Sequence, residues 1–340
     1  MEYGKVAHLE AVDFSLPPDD RMTDELLQSL DRTKDQPLQL YVGCARWGNK
    51  EWIGKVYPPG TKDKDFLAQY VRQFNTIELN AMFYNLQPRH VIEKWASLAD
   101  ASFRFCPKFS NTISHTRQLQ NTRTDTELFI SHMQSFGQKL GPSFLQLSDS
   151  FGPDRTAILQ AYCRSLPRDF KTCVELRHER WFSPHPRAAC SPSPFPPSAS
   201  SPALAAHQPL SSSSSSGPAS PLSPTWDCFR DLGIGTVITD TAGRRDALHM
   251  RLTAPFAFIR FVGNNLHPTD FPRIDAWVDR IKTWIDKGLR EIYFFVHSHE
   301  EINSPQLAEH AIAQFNMKCG TRLTPPKKFN EEKGKNLTLF

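Results

Sequence analysis

The run Thr172-Cys-Val-Glu-Leu-Arg177 has the length and composition of a buried β-strand, with a glutamate and an arginine at its carboxyl end. Helical periodicity follows most runs of this kind, for example over Pro88–Leu98 and Phe271–Gly288. Seven similar runs lie elsewhere in the 340-residue chain: Leu38–Cys44, Thr76–Asn80, Phe103–Lys108, Ser143–Leu147, Gly235–Asp240, Ala257–Phe261 and Glu291–His297. This repeated strand–helix alternation predicts an α/β fold of parallel strands, a (β/α)8 TIM-like barrel in a single domain.

An open, doubly wound sheet is the alternative arrangement of the same elements. The glycine-rich phosphate loop that often marks such sheets has the pattern GxGxxG after the first strand. Here the first strand leads into Gly43-Cys-Ala-Arg-Trp-Gly48, which does not match that pattern. The barrel is therefore favoured over a nucleotide-binding sheet.

The chain has 27 prolines but only 16 glycines, and the excess of proline lies in one segment. Residues Pro184–Pro224 hold 11 prolines and 13 serines, and Arg187 is the only charged residue among them apart from histidine. Such a composition buries too little apolar surface to offset the entropy of ordering, so a disordered Ser/Pro-rich insertion is predicted. The expected organisation is an N-terminal extension (1–37), a barrel (38–320) interrupted by 184–224, and a C-terminal tail (321–340).

Charge and cysteine content narrow the class of protein. Forty basic and 36 acidic residues give a net charge of +4, which argues against nucleic acid as a partner without excluding it. Seven scattered cysteines include no CxxC pair, so neither a disulfide framework nor a zinc site is expected. No signal-peptide pattern and no long apolar run is present, which predicts a cytoplasmic protein without a membrane partner. Composition does not fix the oligomeric state.

Polar side chains recur at or near the carboxyl ends of the predicted strands. Alternation places the apolar residues, Val237 among them, toward the helices and the polar residues toward the interior. The carboxyl end of a barrel is where its loops build active sites. We therefore expect one mouth to collect the following side chains: Glu78, Lys108, Gln146, Glu175, Arg177, Asp240, Arg260 and His297. The alternative is a set of structural ion pairs, such as Glu175 with Arg177.

The loops after the strands add aromatic and cationic groups. Trp47 and Tyr84 follow the first two strands and are candidates for stacking on a ligand, or for covering the core. Arg244 and Arg245 follow a glycine after strand six. They suit bidentate capture of a phosphate or carboxylate, or they form a solvated turn.

Taken in order, these motifs resemble the YecE-like family, known as domain of unknown function 72. The matching segments are Val42–Trp47, Phe74–Asn80 with Phe83-Tyr84, Phe103–Lys108 with Ile113-Ser-His115, Leu145–Leu147 with Phe151-Gly-Pro, Val174–His178 with Trp181-Phe182, Thr239–Asp246, Ile259–Gly263 and Phe294–His297. The resemblance covers about residues 3 to 330 apart from the insertion, and it implies a TIM-barrel-like fold but no reaction. Two segments depart from the family pattern. Arg260-Phe-Val-Gly263 stands where many relatives read Arg-Leu-His-Gly, and His297-Ser298 stands where they read Asn-Asn.

The first functional hypothesis is a hydrolase- or lyase-type enzyme for an anionic small molecule that is phosphorylated or contains a sugar. Glu78 or Glu175 is expected to act as general acid or base, with His297 as proton partner. Burial beside another carboxylate is expected to raise the pKa of that glutamate. The predicted catalytic residues are Glu78, Glu175, Asp240 and His297. The predicted substrate-binding residues are Trp47, Asn80, Tyr84, Lys108, His115, Gln146, Arg177, Arg244, Arg245 and Arg260.

Two alternatives stay open at this point. No cofactor is predicted, but oxygen and imidazole ligands on four strands also suit a divalent metal in a hydrolase, nuclease or isomerase. The other alternative is a barrel that binds a metabolite or nucleic acid without catalysis.

Overall fold

The computed structural model describes residues 4–30, 36–182 and 223–329. Within these ranges the eight strands begin within one residue of their predicted positions. They are β1 Gln39–Cys44, β2 Thr76–Leu79, β3 Arg104–Pro107, β4 Ser143–Gln146, β5 Thr172–Glu175, β6 Gly235–Asp240, β7 Ala257–Gly263 and β8 Glu291–Ser298.

Helices occupy most of the connections between the strands. They are α1 Arg21–Ser29, α2 Phe66–Tyr70, α3 Ala81–Tyr84, α4 Arg89–Leu98, α5 Arg123–Met133, α6 Thr156–Ser165, α7 Ser223–Leu232, α8 Asp270–Asp286 and α9 Ser304–Cys319. The connection from β6 to β7, where the sequence has no helical period, contains only the short 3-10 turn Arg245–Ala247. Among the described residues, none of the helices is both long and apolar enough to cross a membrane.

The strands pair in parallel throughout and form two sheets. One sheet has the order β1-β8-β7-β6-β5-β4 and the other pairs β2 with β3. Single bridges from Phe105 to Leu140 and from Lys108 to Phe144 connect β3 to the β4 side. The fold is therefore a mixed α/β fold with parallel sheets. In the part of the chain that the structure describes, the strand ladders do not close into the expected barrel.

Side chains connect β1 to β2 where no strand ladder joins them. Asn75 accepts from the Val42 amide (2.8 Å) and donates to the Leu40 carbonyl (2.9 Å). The Tyr70 hydroxyl accepts from the Cys44 amide (2.8 Å) and is 2.9 Å from the Thr76 carbonyl oxygen. The two strands approach so closely that an ideal Cβ on Gly43 would lie 2.1 Å from that oxygen.

The inward faces of the strands carry an apolar, aromatic-rich layer beneath the polar strand ends. This inner layer consists of Tyr41, Cys106, Phe144, Cys173, Val237, Ala254, Phe256, Phe258, Tyr293 and Phe295. Cys106, Cys173 and Tyr293 belong to this inner layer. The predicted orientation of Val237 toward the helices is wrong, because Val237 belongs to the inner layer as well.

The segments outside the strand–helix repeat also contact it where they are described. Asp19 accepts from Arg280 (2.7 Å) and from the Trp284 indole (3.1 Å), which attaches the N-terminal residues to α8. At the other end, the Lys327 amide donates to Gln73 (2.7 Å). The predicted insertion Pro184–Pro224 lies outside the described residues except for its last two, which begin α7.

The substitution Tyr70→Phe tests the connection between β1 and β2. It keeps the ring but removes the hydroxyl, so it leaves the Cys44 amide without its acceptor in a buried position. We expect the free energy of unfolding to fall by about 1–3 kcal/mol, measured by urea denaturation. Tyr84→Phe is the matched control because Tyr84 is 82% exposed, and it should leave stability unchanged. Equal stability of both variants would contradict the assigned role.

Candidate active site

A buried arginine, Arg260 on β7, joins two glutamates from different sheets. Its Nε and Nη2 donate to the two Glu78 carboxylate oxygens at 2.7 and 2.9 Å. Its Nη1 donates to both Glu175 oxygens at 3.1 and 2.9 Å. All three side chains are no more than 2% exposed. The geometry is a double, fork-like ion pair at the carboxyl ends of β2, β5 and β7.

The Glu175 carboxylate is the second centre of this network. It accepts from Gln146 Nε2 (2.7 Å), Arg177 Nε (2.9 Å) and Thr239 Oγ1 (3.1 Å). The Gln146 amide oxygen in turn accepts from Lys108 Nζ at 2.6 Å. Alternation along β4 and β5 directs these side chains inward, as the sequence predicted for Gln146, Glu175 and Arg177.

His297 on β8 ends the network on the opposite side. Its Nε2 lies 2.9 Å from Glu78 Oε2, and Asn80 donates to Glu78 Oε1 at 3.0 Å. The His297 Nδ1 atom is buried and has no hydrogen-bond partner among the described residues; the nearest acidic oxygen, from Glu301, is 4.0 Å away. In the neutral tautomer whose Nε2–H donates to the carboxylate, Nδ1 carries the lone pair of the ring.

The network forms the floor and walls of a cleft of about 860 Å³. Trp47, Asn80 and Tyr84 line it together with Glu78, Lys108, Gln146, Arg177, Arg260 and His297. Phe83 covers Lys108, whose Nζ is 3.9 Å from the ring centroid. His115 does not line the cleft, but its ring centroid lies 5.1 Å from that of Phe83. The structure thus brings together most of the predicted site residues.

The electrostatics of the glutamates differ from the expectation. Burial acts to raise the pKa of both carboxyl groups, but neighbouring positive charges outweigh it. Arg260 and His297 hold the pKa of Glu78 well below its usual range. Arg177 and Arg260 lower the pKa of Glu175 to about 2. The expected raised carboxyl pKa is therefore wrong, because each carboxylate faces a guanidinium and not another unpaired carboxylate.

At Lys108 the surroundings favour the neutral form, whereas at the two glutamates they favour the charged form. Burial, followed by the charge of Arg260, lowers the pKa of its ammonium group to about 8. Burial and the charge of Lys108 also lower the pKa of His115. Lys108 thus loses its proton more readily than an exposed lysine does.

Asp240 does not join the site, and its predicted convergence is wrong. Its carboxylate accepts from Trp277 Nε1 (2.7 Å) and Arg273 Nη2 (2.8 Å), both on α8, and pairs with Arg245. Thr239 takes the inward position beside Glu175 instead. The inward phase of β6 therefore runs through Val237 and Thr239, one residue out of step with the prediction.

Arg244 and Arg245 are also engaged elsewhere. Arg244 forms a two-point ion pair with Asp246 (2.9 Å each) and donates to the Arg177 carbonyl. Arg245 pairs with Asp240 and donates to the Ser15 carbonyl (3.0 Å). Neither lines the cleft, so the predicted anion clamp is not formed by this pair.

Several cleft residues were not predicted as site residues. They are Arg46, Asn49, Glu51, His299 and Glu301, which lie in the segments after β1 and β8. Their signal in the sequence was only their position just after a strand, which many surface residues share. Glu301 was not predicted as a site residue because it lies four residues past the predicted end of the last strand.

The donor set does not fit the metal site considered above. Asp240 lies on the helix side of β6, and the oxygens of Glu78 and Glu175 are bonded to Arg260. No cluster of three or more His, Cys, Asp or Glu side chains able to hold a metal occurs within the described ranges.

The fold and site define a mixed α/β protein of parallel strands with a polar, charge-paired cleft at the strand carboxyl ends. Residues 41–191 and 219–330 match the model of the family described as "Protein of unknown function DUF72". The chain therefore belongs to the DUF72 family.

Individual relatives agree with this assignment. The chain is 24% identical over 268 residues to the UPF0759 protein YecE of Escherichia coli K12, covering 79% of this chain and 89% of YecE. It is 28% identical over 153 residues to the UPF0759 protein YunF of Bacillus subtilis, covering 43% of this chain and 53% of YunF.

Two crystal structures of DUF72 proteins share the fold. One, from Enterococcus faecalis, has a TM-score of 0.59 at 14% identity over 86% of this chain and 99% of that chain. The other, from Thermotoga maritima, has a TM-score of 0.56 at 19% identity over 82% of this chain and 98% of that chain. Likeness at this level of identity concerns the fold alone.

The lowered pKa of Glu175 predicts a stability that depends on pH. Since the folded carboxyl keeps its charge to a lower pH than the unfolded one, its contribution is complete above about pH 4.5 and disappears toward pH 2. We expect Glu175→Gln to lower the free energy of unfolding at pH 7 by on the order of 3 kcal/mol, and this difference to shrink below pH 4.5.

Urea denaturation of wild type and variant between pH 3 and pH 7 measures this difference. Glu93→Gln is the matched control, since Glu93 is exposed on α4. The control should follow the wild-type curve at every pH. A gap between wild type and Glu175→Gln that stays constant over the range would contradict the ion-pair assignment.

Proposed function

We propose that this protein is an enzyme that binds a small anionic molecule, phosphorylated or sugar-containing, in the cleft and moves a proton on it. The observation that carries the proposal is the pairing of His297 with Glu78. One imidazole nitrogen is held by a buried carboxylate while the other has no partner in the described residues. This is the arrangement of an oriented general base.

The two sides of the cleft carry different groups. Lys108 and Arg177, which follow β3 and β5, supply positive charge on one side. Glu51, Glu301 and His297, from the segments around β1 and β8, supply acceptors on the other. A ligand with an anionic group at one end and hydroxyl groups at the other fits this division. Arg46, exposed at the rim, adds a further cation.

Glu78 and Glu175 have supporting roles in this proposal. Their low pKa values keep them ionised near neutral pH, so neither acts as the acid that was expected. Glu78 is a positioning residue for His297, and Glu175 positions Arg177 and Gln146. Proton transfer is left to His297 and Lys108.

We also propose that the two sheets are arcs of one (β/α)8-type barrel. The side-chain bonds between β1 and β2, and the bridges beside β3, support this, as does the common inner layer. The cytoplasmic location stays a prediction; the six described cysteines, all unpaired, favour it.

The substitution His297→Gln tests the proposed base. Wild type is first screened against a panel of phosphate esters, phosphosugars and sugar acids. With any substrate found, we expect the variant to lower kcat by about 10²–10⁴ with little change in KM.

His310→Gln is the matched control, because His310 also bonds a carboxylate, Asp275 at 2.7 Å, but lies on α9 outside the cleft. It should keep wild-type kinetics. Equal kcat in the two variants would overturn the assignment of His297. Binding of panel members without any turnover would favour the non-catalytic alternative.

A further inference from the structure

We propose that Lys108 is a nucleophile that forms a Schiff base with the carbonyl group of an anionic substrate. The proposal rests on the proposed function and names its substrate class: small aldehydes or ketones that carry a phosphate or carboxylate. The geometry that points to it is a buried amine on the cleft wall, held by a neutral partner.

The surroundings of the Lys108 amine are unusual for a lysine that is 8% exposed. Its hydrogen-bond acceptor is the amide oxygen of Gln146 at 2.6 Å, and the Phe83 ring covers it at 3.9 Å. No salt bridge to Lys108 occurs among the described residues. The two nearby carboxylates are already bonded to Arg260. A buried ammonium without an ion pair is destabilised relative to the neutral amine.

The charges with the largest effect on this amine come from the site itself. Arg260 and Arg177 oppose its protonation, Glu175 and Glu78 favour it, and burial exceeds each of them. His115, on the segment after β3, is a further titratable group that interacts with the Lys108 charge. The resulting pKa of about 8 leaves roughly a tenth of the amine neutral at pH 7, against a far smaller share for an exposed lysine. A neutral, desolvated amine is the reactive form in Schiff-base enzymes.

The chemistry needs no external oxidant or reductant. The Lys108 Nζ lone pair attacks the carbonyl carbon, forming a C–N bond while the carbonyl π electrons move to oxygen. One of the two nitrogen protons is transferred to that oxygen, which gives a neutral carbinolamine. The hydroxyl takes up a second proton and leaves as water while the nitrogen lone pair forms the C=N bond, and the protonated imine then gives up its remaining N–H proton, which replaces the one taken up. His297 lines the same cleft as Lys108, so it is the group that accepts or returns protons in this step.

Borohydride trapping tests the proposal with defined probes. Wild type is incubated with dihydroxyacetone phosphate or with uncharged dihydroxyacetone, then reduced with sodium borohydride and mapped by peptide mass spectrometry. We expect one reduced adduct at Lys108, at least about tenfold more than at any other lysine, and more with the phosphorylated probe. Labelling of Lys108 should rise with pH through about 8.

Two lysine-to-arginine variants provide the comparison. Lys108→Arg keeps the positive charge but not the nucleophile, and should lose the adduct. Lys171→Arg is the matched control, since Lys171 precedes β5 and pairs with Glu291 at 2.7 Å, and it should label like wild type. Circular dichroism confirms that each variant is folded.

The outcomes separate the two proposals. If dihydroxyacetone phosphate raises the melting temperature of wild type but no adduct appears at Lys108, the Schiff base is overturned and anion binding stands. If neither the probe nor inorganic phosphate binds and no panel member is turned over, the proposed function is overturned as well. Adducts spread evenly over surface lysines would also overturn the assignment of Lys108.

Discussion

The guanidinium of Arg260 is the interaction on which the centre of this molecule depends. It lies on β7 within the six-stranded sheet, yet it bonds Glu78 on β2 in the two-stranded sheet as well as Glu175 on β5. Three buried charges are tolerated because each donor of the fork meets an oxygen. Removing the arginine would withdraw four charge-assisted hydrogen bonds from two buried carboxylates and leave Glu175 with Arg177 and Glu78 with His297, which costs several kcal/mol. The same ion pair therefore connects the two sheets and permits a polar layer above an aromatic one.

This pairing also decides which groups are left for chemistry. Because Arg260 and its neighbours satisfy both glutamates, the carboxylates stay ionised well below neutral pH and serve as fixed anchors. His297 receives its orientation from one of them, and Lys108 is excluded from both. The hydrogen-bonded network of the glutamates thus has His297 at one end and Lys108 at the other. The glutamates, which the sequence predicted as catalytic residues, serve instead as hydrogen-bond acceptors for His297 and Arg177.

Features that depend on the local sequence pattern, such as the strand positions, were predicted correctly. Features that depend on which side chains meet in the folded protein were missed. Strand positions were correct because buried β-runs are continuous and bounded by turn residues, and the polar ends of most strands converged as alternation requires. The phase of β6 was wrong since Val237 and Asp240 are compatible with either face, and only packing against Trp277 of α8 decides it. Arg244 was misjudged because Asp246, two residues on, forms an ion pair with it. The pKa of Glu175 was misjudged because its carboxylate pairs with Arg177, two residues on, and with Arg260, 85 residues away along the chain, and not with another carboxylate.

The placement of arginine in the centre and lysine at the side follows from the shapes of the two cations. A guanidinium is planar and offers five donors in a fixed fork, so one residue can bridge two carboxylates at once. An ammonium is a point charge whose proton is lost when burial is not offset by an anion. If the two residues were exchanged, the three protons of a central lysine could not replace the four hydrogen bonds that Arg260 donates to Glu78 and Glu175, and the peripheral arginine would stay charged beside Gln146. The division between a permanent structural cation and a titratable one is therefore fixed by residue type, and Lys108 is the member of the pair whose pKa is lowered by burial.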